Sequence, residues 1–278
     1  MAIFLAAMSA VVWGGSDFLG GIATKKRSVL RVLLVSQFFS LGLAVVAAPL
    51  FDSSGLDLKH LAWGAGAGSS GIIGLALLYR GLAMGRMAVV APLTAVTGSI
   101  VPIVVGVALG ERPSALAWLG VAIALPSVVL ISRTPDSSSH QAVSGVEVSL
   151  GLASGAFFGL FGVFIAQTPE ASGLWPLIAA KVAAIAMVAG VVAAAKPARG
   201  PRGDGALLAA TGLGDMVANI LILAAFRRGL LSLVPVVGAL YPASTIVLAR
   251  LVLGERIHAV QAVGLVTAAT AVGLIAAG

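Results

Sequence analysis

Residues 228–256 of the chain read RGLLSLVPVVGALYPASTIVLARLVLGER. The 21 residues between Arg228 and Arg250 carry no charge and are mostly Leu, Val and Ala. A helix needs about 20 apolar residues to cross the hydrocarbon core of a bilayer, which is roughly 30 Å thick. The run therefore predicts a membrane-spanning helix that is bounded by arginines at both ends.

The rest of the chain has the same character. Of its 278 residues, 59% are hydrophobic and 10% are charged, with a mean hydropathy of +1.10. Soluble domains carry roughly 25% charged residues, so this chain has too little charge to coat a soluble globule. Its apolar runs are continuous, whereas barrel strands would alternate over about ten residues. The composition predicts an all-α polytopic membrane protein.

Cysteine content and charge exclude further classes. The chain has no cysteine, which removes disulfides, thiolate nucleophiles and Cys-ligated metals. Its net charge is +7, but the basic residues cluster at the ends of apolar runs, where they orient membrane proteins. We therefore expect no nucleic-acid partner. The first run is too long for a signal-peptide core and is expected to be retained as the first span.

Charged, Pro and Gly residues divide the chain into ten predicted spans. They lie near residues 2–23, 30–50, 61–79, 87–109, 114–132, 147–166, 175–195, 206–226, 232–253 and 258–277. The longest polar stretch, residues 132–144, falls between the fifth and sixth spans. We therefore divide the chain into a first five-helix repeat at 1–133, a linker at 134–146 and a second repeat at 147–278.

The two halves are related in sequence. A shift of 144 residues places Leu109–Arg112, which reads LGER, on Leu253–Arg256, and it places Gly120 on Gly264. Glu and Arg are scarce in this chain, so the match exceeds what composition explains. A repeat with an odd number of spans must invert in the membrane, and many secondary transporters are built from inverted repeats.

These residues resemble the drug/metabolite transporter superfamily, specifically the EamA-type family. The resemblance covers nearly the whole chain and rests on Trp13–Gly14, on Val90–Leu93 with Gly110–Arg112, and most specifically on residues 228–256. It implies a ten-helix carrier with two inverted five-helix repeats and a central cavity, lined mainly by the first, third and fourth helices of each half. Family members export amino acids, other metabolites or drugs, and the resemblance does not fix the substrate.

Two acidic residues fall well inside the predicted spans, away from their ends, and an intramembrane acid is a functional candidate by default. Asp215 shares a helix stripe with Thr211 and Asn219. Asp17 lies past the middle of the first span. We take both acids as candidates for substrate binding and proton coupling, with Asp215 preferred as the proton relay. The alternative is a structural role, in which Asp215 bonds to a neighbouring helix.

The fourth and ninth spans supply a symmetric pair of candidate faces. Their members are Thr94, Thr97, Gly98 and Val101 in the fourth span and Gly238, Tyr241, Pro242 and Thr245 in the ninth. We expect the two faces to meet across the cavity. Four prolines remove backbone hydrogen bonds from these spans, as hinges or as structural kinks: Pro92, Pro102, Pro235 and Pro242.

The remaining candidates are aromatic, isolated or paired residues. Phe157, Phe158 and Phe161 occupy the place in the sixth span that Trp13 has in the first. Phe158 and Phe161 are candidates with Trp13 for an aromatic-lined pocket, and the alternative, which is commoner for aromatic residues in membrane helices, is packing or a lipid-facing position. Gln37 and Lys181 are isolated polar residues, and Lys181 is expected to snorkel toward the interface. The pairs Glu111–Arg112 and Glu255–Arg256 are expected to form local salt bridges at helix ends.

Together these patterns predict a multi-pass secondary transporter of the cytoplasmic membrane, acting as a monomer or homodimer. It would move small organic solutes, with protons as the candidate coupling ion, by rocking one repeat against the other. No catalytic motif, metal cluster or cofactor is expected, because the three histidines lie at helix ends or in the linker. The rival functions are a non-transporting scaffold or assembly subunit, and a membrane enzyme acting on lipid.

Orientation is the one point at which charge and resemblance disagree. Twelve Lys and Arg residues lie in or beside the odd-numbered connections, four lie in the even-numbered ones, and Lys181 lies within a span. The positive-inside rule then makes the odd connections cytoplasmic and puts both termini outside. The resemblance implies that both termini are inside. We favour the charge rule.

Overall fold

The structure is a computed structural model that describes residues 1–24, 28–51, 53, 55–83, 87–132, 145–195, 205–254 and 256–278. Within these ranges the chain forms eleven α-helices and one 3-10 turn, Ala48–Leu50. The helices are α1 (Ala2–Thr24), α2 (Val29–Ala47), α3 (Leu58–Ala83), α4 (Met87–Ala108), α5 (Ala115–Ser132), α6 (Gly145–Ala166), α7 (Trp175–Ala195), α8 (Gly205–Phe226), α9 (Val234–Gly238), α10 (Tyr241–Leu253) and α11 (Ala259–Ala277).

These helices provide ten crossings of the bilayer. Nine segments of the described chain are long and apolar enough to span it, and α4, of which Leu93–Ala108 is apolar, supplies the tenth. One of the nine, Val234–Leu253, consists of α9 and α10 together. The predicted fold class is thus confirmed as an all-α polytopic membrane protein with two inverted five-helix repeats.

The ninth crossing is a broken helix, whereas the sequence predicted a continuous span over 232–253. The break falls at Ala239 and Leu240, just before Pro242 in the first turn of α10. Proline has no N–H to donate to the carbonyl of Gly238, so Pro242 removes one hydrogen bond of the helical ladder at this point. The Leu240 N–H instead donates to the Val237 carbonyl at 3.2 Å, which tightens the last turn of α9.

Packing between helices repeats when the two halves are exchanged. Helix α1 packs on α8 and α10, and its counterpart α6 packs on α3 and α4. Likewise α2 packs on α8, and its counterpart α7 packs on α3. The pairs α2 with α7 and α5 with α11 join equivalent helices of the two halves. The helices are therefore arranged about a pseudo-two-fold axis, as an inverted repeat requires.

The two repeats are interleaved and do not form separate bodies. The first bundle, as we name it, consists of α1, α2, α8, α9 and α10, and the second bundle consists of α3, α4, α6 and α7. Each bundle takes two spans from each half of the chain. Helices α5 and α11 form a further pair, and α2 packs on α7 where the bundles meet.

Glycine allows the α5–α11 pair to approach closely. A Cβ atom added at Gly120 would lie 2.6 Å from Cγ1 of Ile275, and one at Gly264 would lie 2.8 Å from the backbone nitrogen of Ile131. Neither position can hold a larger residue without a shift of the partner helix. These are the two glycines that the 144-residue shift superimposes. Each lies in the contact between α5 and α11, so the repeated glycine serves the same helix contact from both helices.

Candidate functional site

The Asp215 carboxylate is the centre of a polar cluster that four helices build. Its Oδ2 accepts hydrogen bonds from Lys181 Nζ of α7 at 2.6 Å and from Ser40 Oγ of α2 at 2.8 Å. Its Oδ1 accepts from Asn219 Nδ2 of the same helix at 3.0 Å and from Trp13 Nε1 of α1 at 3.4 Å. The carboxylate is thus fixed by four donors, and its charge is balanced by a lysine.

The ion pair overturns the expectation that Lys181 snorkels. Its side chain is 9% exposed, and it bonds to Asp215. A lysine in hydrocarbon is stabilised by an opposite charge at hydrogen-bond distance, and that partner lies closer than the interface. The sequence did contain a signal for this ion pair. Lys181 and Asp215 are the single charged residues of two successive spans, and their charges have opposite signs.

Asp17 lies one turn beyond Trp13 on the same stripe of α1. Its charge interacts with that of Asp215, yet no described residue donates a hydrogen bond to its side chain. Unlike Asp215, it is exposed. The two acids that the sequence singled out are therefore neighbours in different situations, one fully partnered and one open.

Exposure along the Asp17 stripe shows how the cluster is reached. Ala6 is 0% and Ala10 is 5% exposed, Trp13 is half-buried, and Asp17 and Gly21 are exposed. Among the described residues nothing lies within 4 Å of the position that a Cβ would take at Gly21. The exposed part of this stripe thus lies toward the end of the molecule at which α1 ends, which we call the open end.

Trp13 of the first bundle and Phe161 of the second form an aromatic pair beside the cluster. The rings of Trp13 and Phe161 meet edge to face, with centroids 6.5 Å apart and an interplanar angle of 61°. Phe158, one turn away, instead packs near Gly74 of α3 and Gly98 of α4. The structure therefore brings Phe161 together with Trp13 and the acids, and it places Phe158 between helices.

The two candidate faces, on α4 and on α9 with α10, each make contacts with a helix of their own bundle. Thr94 donates to the Gly151 carbonyl of α6 at 3.2 Å, and a Cβ at Gly155 would lie 2.6 Å from the Thr97 Cβ. Thr245 donates to the Gly14 carbonyl of α1 at 3.1 Å. Small residues on α6 and α1 draw each face into a helix contact. A role of these residues in substrate binding stays a prediction.

The remaining members of the two faces lie in similar contacts. The carbonyl of Tyr241 accepts from Ser244, whose hydroxyl also bonds to the backbone of α1. Gly238 is buried in α9, where an added Cβ would lie 3.3 Å from Cδ1 of Ile222. Of the prolines, Pro102 is buried inside an unbroken α4, Pro235 and Pro242 lie in the first turns of α9 and α10, and the side chain of Pro92 lies outside the described residues.

At the opposite end of the molecule, which we call the sealed end, buried chain and the connections between helices pack over the two bundles, beside a cavity lined by Leu223, Arg227 and Arg228 among others. The short helix α9 is buried except at Pro235, which is half-buried, and Val234 and Val237 are 0% exposed. The Glu111 carboxylate, from the α4–α5 connection, accepts from the backbone N–H groups of Leu231 at 2.6 Å and Ser232 at 2.8 Å. The expected salt bridge with Arg112 is absent among the described contacts, and Arg112 bonds to the Glu111 main-chain carbonyl. Glu111 therefore ties the second bundle to the first.

Arg227, which directly follows α8, makes further contacts at the sealed end. Arg227 donates to the carbonyls of Thr168 at 3.3 Å and Gly173 at 2.9 Å, and to Ser172 Oγ at 2.9 Å. Burial lowers the pKa of Arg227 to about 10, so it remains protonated at neutral pH. These bonds cross from the first bundle to the α6–α7 connection of the second. Both connections are thus held at the sealed end.

The described residues contain no group of three or more His, Asp and Glu side chains placed to hold a metal ion. The chemistry available in the cluster is that of charge, hydrogen bonding and aromatic surface. These features, where two bundles built from inverted repeats meet, define a polytopic membrane protein with a charged cluster among its helices.

The chain belongs to the EamA-like transporter family, whose model matches residues 1–133 and 145–277. A solved structure titled "Crystal structure of protein" is similar in fold, with a TM-score of 0.75 and 19% sequence identity over 99% of this chain and 98% of that one. No curated protein matches the sequence. The family resemblance that the sequence suggested is confirmed.

Proposed function

We propose that this protein is a secondary transporter that exports small organic solutes across the cytoplasmic membrane by alternating access. The solute class includes amino acids, other metabolites and drugs. The observation that carries the proposal is the Lys181–Asp215 ion pair, which joins α7 of the second bundle to α8 of the first within the membrane-spanning helices, close to the exposed Asp17. Membership of a transporter family supports the same conclusion.

The ion pair favours transport over a passive scaffold because intramembrane charge is expensive. A charged side chain near the bilayer centre costs at least about 2.5–3.5 kcal/mol, and a scaffold could replace the pair by apolar residues of similar volume at little cost. A carrier uses such a pair to bind polar solutes in a site that lipid does not reach. The half-buried Trp13 and Phe161 add an apolar wall for an organic solute.

Alternating access in this fold moves the bundles rather than the repeats. The repeats share most of their packing, so rocking one against the other would break the core of both bundles. The bundles meet at α2 with α7, at the Lys181–Asp215 pair and at the contacts of the sealed end. A tilt about the α2–α7 contact would open the sealed end and close the open one. We propose this motion in place of the repeat-against-repeat motion expected from the sequence.

Counterflow in proteoliposomes tests the proposal. Vesicles are preloaded with an unlabelled neutral amino acid, organic amine, nucleobase or sugar phosphate, and the same labelled compound is added outside. We expect accumulation above that of protein-free vesicles for one class, its loss in Asp215→Asn, and normal activity in Val11→Ala, a lipid-facing control. Folded protein that gives no counterflow with any of the four classes would overturn the proposal.

A further inference from the structure

We propose that the cavity at the end of α8 binds a membrane phospholipid with one net negative charge. The cavity shares no lining residue with the Asp215 cluster. The lipid would place its phosphate at Arg227 and Arg228, and its acyl chains against the apolar face of α8 and the end of α2. This inference goes beyond the proposed function and holds whether or not the protein transports a solute.

The cavity follows one stripe of α8 and of the turn after it. The residues of this stripe recur at helical spacing and are apolar until two arginines end it: Ile220, Leu223, Ala224, Arg227 and Arg228. The N–H of Arg227 still bonds to the Leu223 carbonyl at 3.1 Å, so Arg227 continues the helical turn. At 1.5 Å per residue, the stripe rises roughly 10 Å from Ile220 to Arg227. It changes from apolar to basic along this rise, as a phospholipid changes from chain to phosphate.

The cavity lies where membrane-spanning segments end, at the level of the lipid headgroups. The segments Val29–Leu50 and Gly205–Phe226 are each long and apolar enough to cross the bilayer, and both end at the cavity. Leu50, which lines it, is 83% exposed, and Val46, one turn earlier, is 76% exposed. Apolar surface therefore continues from the cavity along the outside of α2, where acyl chains lie.

The charges of the lining leave one positive charge uncompensated among the described residues. Arg228 pairs with Glu170 at 2.8 Å, whereas Arg227 bonds to two carbonyls and one hydroxyl of the α6–α7 connection. Arg227 is half-buried, and an enclosed charge without a counter-charge is unfavourable. A phosphodiester, which carries one negative charge, would bring the lining to neutrality. Arginine is well suited to this role, because its planar fork of N–H groups matches phosphate oxygens.

The size of the cavity favours part of a larger molecule over a whole soluble one. Its volume is about 230 Å³. Sites that enclose a small-molecule ligand usually measure roughly 300–1,000 Å³. A phospholipid can place its phosphate and the start of its chains in the cavity while the rest of the chains stays in the bilayer. A free phosphate ester would reach the arginines but leave the apolar stripe of α8 uncovered.

A lipid in this cavity would contact both bundles. Helix α8 and Leu50, which follows α2, belong to the first bundle, whereas Glu170 and Leu174 lie in the α6–α7 connection of the second. Arg227 already joins the bundles through its bonds to that connection. Basic pockets between membrane-spanning helices are known to hold anionic headgroups. The bound phosphate would therefore add a contact that both bundles share and would stabilise the protein.

Lipid binding to the full-length protein, stripped of lipid in a neutral detergent, tests the inference. The probes are phosphatidylglycerol, phosphatidylcholine with the same chains, and glycerophosphoglycerol, which is the anionic headgroup without chains. Native mass spectrometry counts the bound lipids, and thermal unfolding reports stabilisation. We expect one phosphatidylglycerol per chain to bind saturably and to raise the melting temperature. The other two probes should leave the melting temperature unchanged at the same concentration.

Two variants assign the binding to the cavity. Ala224→Phe fills the cavity and leaves every charge in place, and Arg227→Gln removes the uncompensated charge. Each should weaken the affinity for phosphatidylglycerol by roughly tenfold or more, the value of one charge-assisted hydrogen bond. The matched controls are Val191→Phe, which adds the same ring at an exposed position of α7, and Arg112→Gln, which removes an exposed arginine from the same end of the molecule. Both controls should bind like the wild type.

Three results would overturn the inference. Unchanged affinity in Ala224→Phe would show that lipid is attracted by charge outside the cavity. Equal stabilisation by phosphatidylcholine would show unselective contact with lipid, and equal stabilisation by glycerophosphoglycerol would show a site for a soluble phosphate ester. If neither cavity variant folds, the absence of a saturable rise in the melting temperature of the wild type with phosphatidylglycerol overturns the inference equally. These readouts involve no transported solute, so they test the lipid site apart from the proposed function.

Discussion

At the scale of single residues, the Lys181–Asp215 pair combines two requirements that conflict. A membrane protein gains stability by avoiding charge in its core, and a carrier of polar solutes needs charge there. The pair meets both, because each member neutralises the other and Ser40, Asn219 and Trp13 saturate the carboxylate. Asp17 is left as the unsaturated group of the cluster.

Breaking the pair on one side should destabilise the protein strongly. Lys181→Met leaves Asp215 as an uncompensated buried charge, which costs about 3–5 kcal/mol, and a further Asp215→Asn substitution should recover part of this loss. Thermal unfolding of both variants in detergent measures the effect. A single variant as stable as the wild type, or a double variant no better than the single one, would show that the two side chains are not coupled.

The sequence identified the acids of the site better than their partners. An acid within an apolar run stands out by itself, as Asp17 and Asp215 do. The partners Lys181 and Ser40 lie on other helices, 34 and 175 residues away, and no local pattern encodes such a contact. The Thr211–Asp215–Asn219 stripe was half right, because Asn219 bonds to Asp215 whereas the Thr211 hydroxyl bonds to its own helix at Leu207.

At the scale of elements, the broken ninth crossing and Glu111 act together at the sealed end. Helix α9 is only five residues long and has little stability of its own. The Glu111 carboxylate accepts two N–H groups from the turn that leads into it, and a negative charge is favoured at the start of a helix. Opening the sealed end requires these bonds to break.

Removing the charge of Glu111 should loosen the sealed end. In a Val236→Cys background, Glu111→Gln should raise the rate at which a soluble thiol reagent reacts with the cysteine. Val236 is 1% exposed, and the charged hydrogen bonds of Glu111 hold the chain that leads into α9 in place. The chain has no other cysteine to interfere. Labelling kinetics in detergent give the measurement.

The matched control is Glu170→Gln at the same end. Glu170 pairs with Arg228 at 2.8 Å, but the side chains are 71% and 44% exposed, and exposed pairs contribute little. Its labelling rate should stay near that of the background. Equal rates for Glu111→Gln and the background would show that Glu111 does not hold the sealed end closed.

Sequence reasoning placed the elements well and their contacts poorly. A continuous apolar run reveals a membrane span, because the length and composition of that segment alone decide whether it can cross the bilayer. The face that a helix turns to its neighbour is less visible, because both the lipid and the protein interior are apolar. Thr94 and Thr97 were therefore assigned to a cavity, whereas glycines on α6 draw them into a helix contact.

At the scale of the whole molecule, the open end coincides with the odd-numbered connections. Helices α1, α3 and α5 end there, and Arg31, Arg80 and Arg250 are among its basic residues. If the positive-inside rule holds, the structure faces the cytoplasm, the orientation from which an exporter loads its cargo.

Labelling of single cysteines decides this orientation. In intact cells a membrane-impermeant thiol reagent should label Leu56→Cys, in the α2–α3 connection, and should not label Ser28→Cys, in the α1–α2 connection, until the membrane is made permeable. Both positions are exposed, so accessibility does not bias the result. The reverse pattern would place both termini inside.

The interleaving of the two halves also constrains how the protein is made. A ribosome inserts α1 to α5 first, yet these helices make few contacts with one another and find their main partners in α6 to α11. The nascent first half must wait in the lipid with its glycine-lined faces uncovered, vulnerable to quality-control proteases, until the second half emerges. Assembly is thus a late and nearly simultaneous event. A gene cut in the 134–146 linker should yield two fragments that are degraded when produced alone and rescued when produced together.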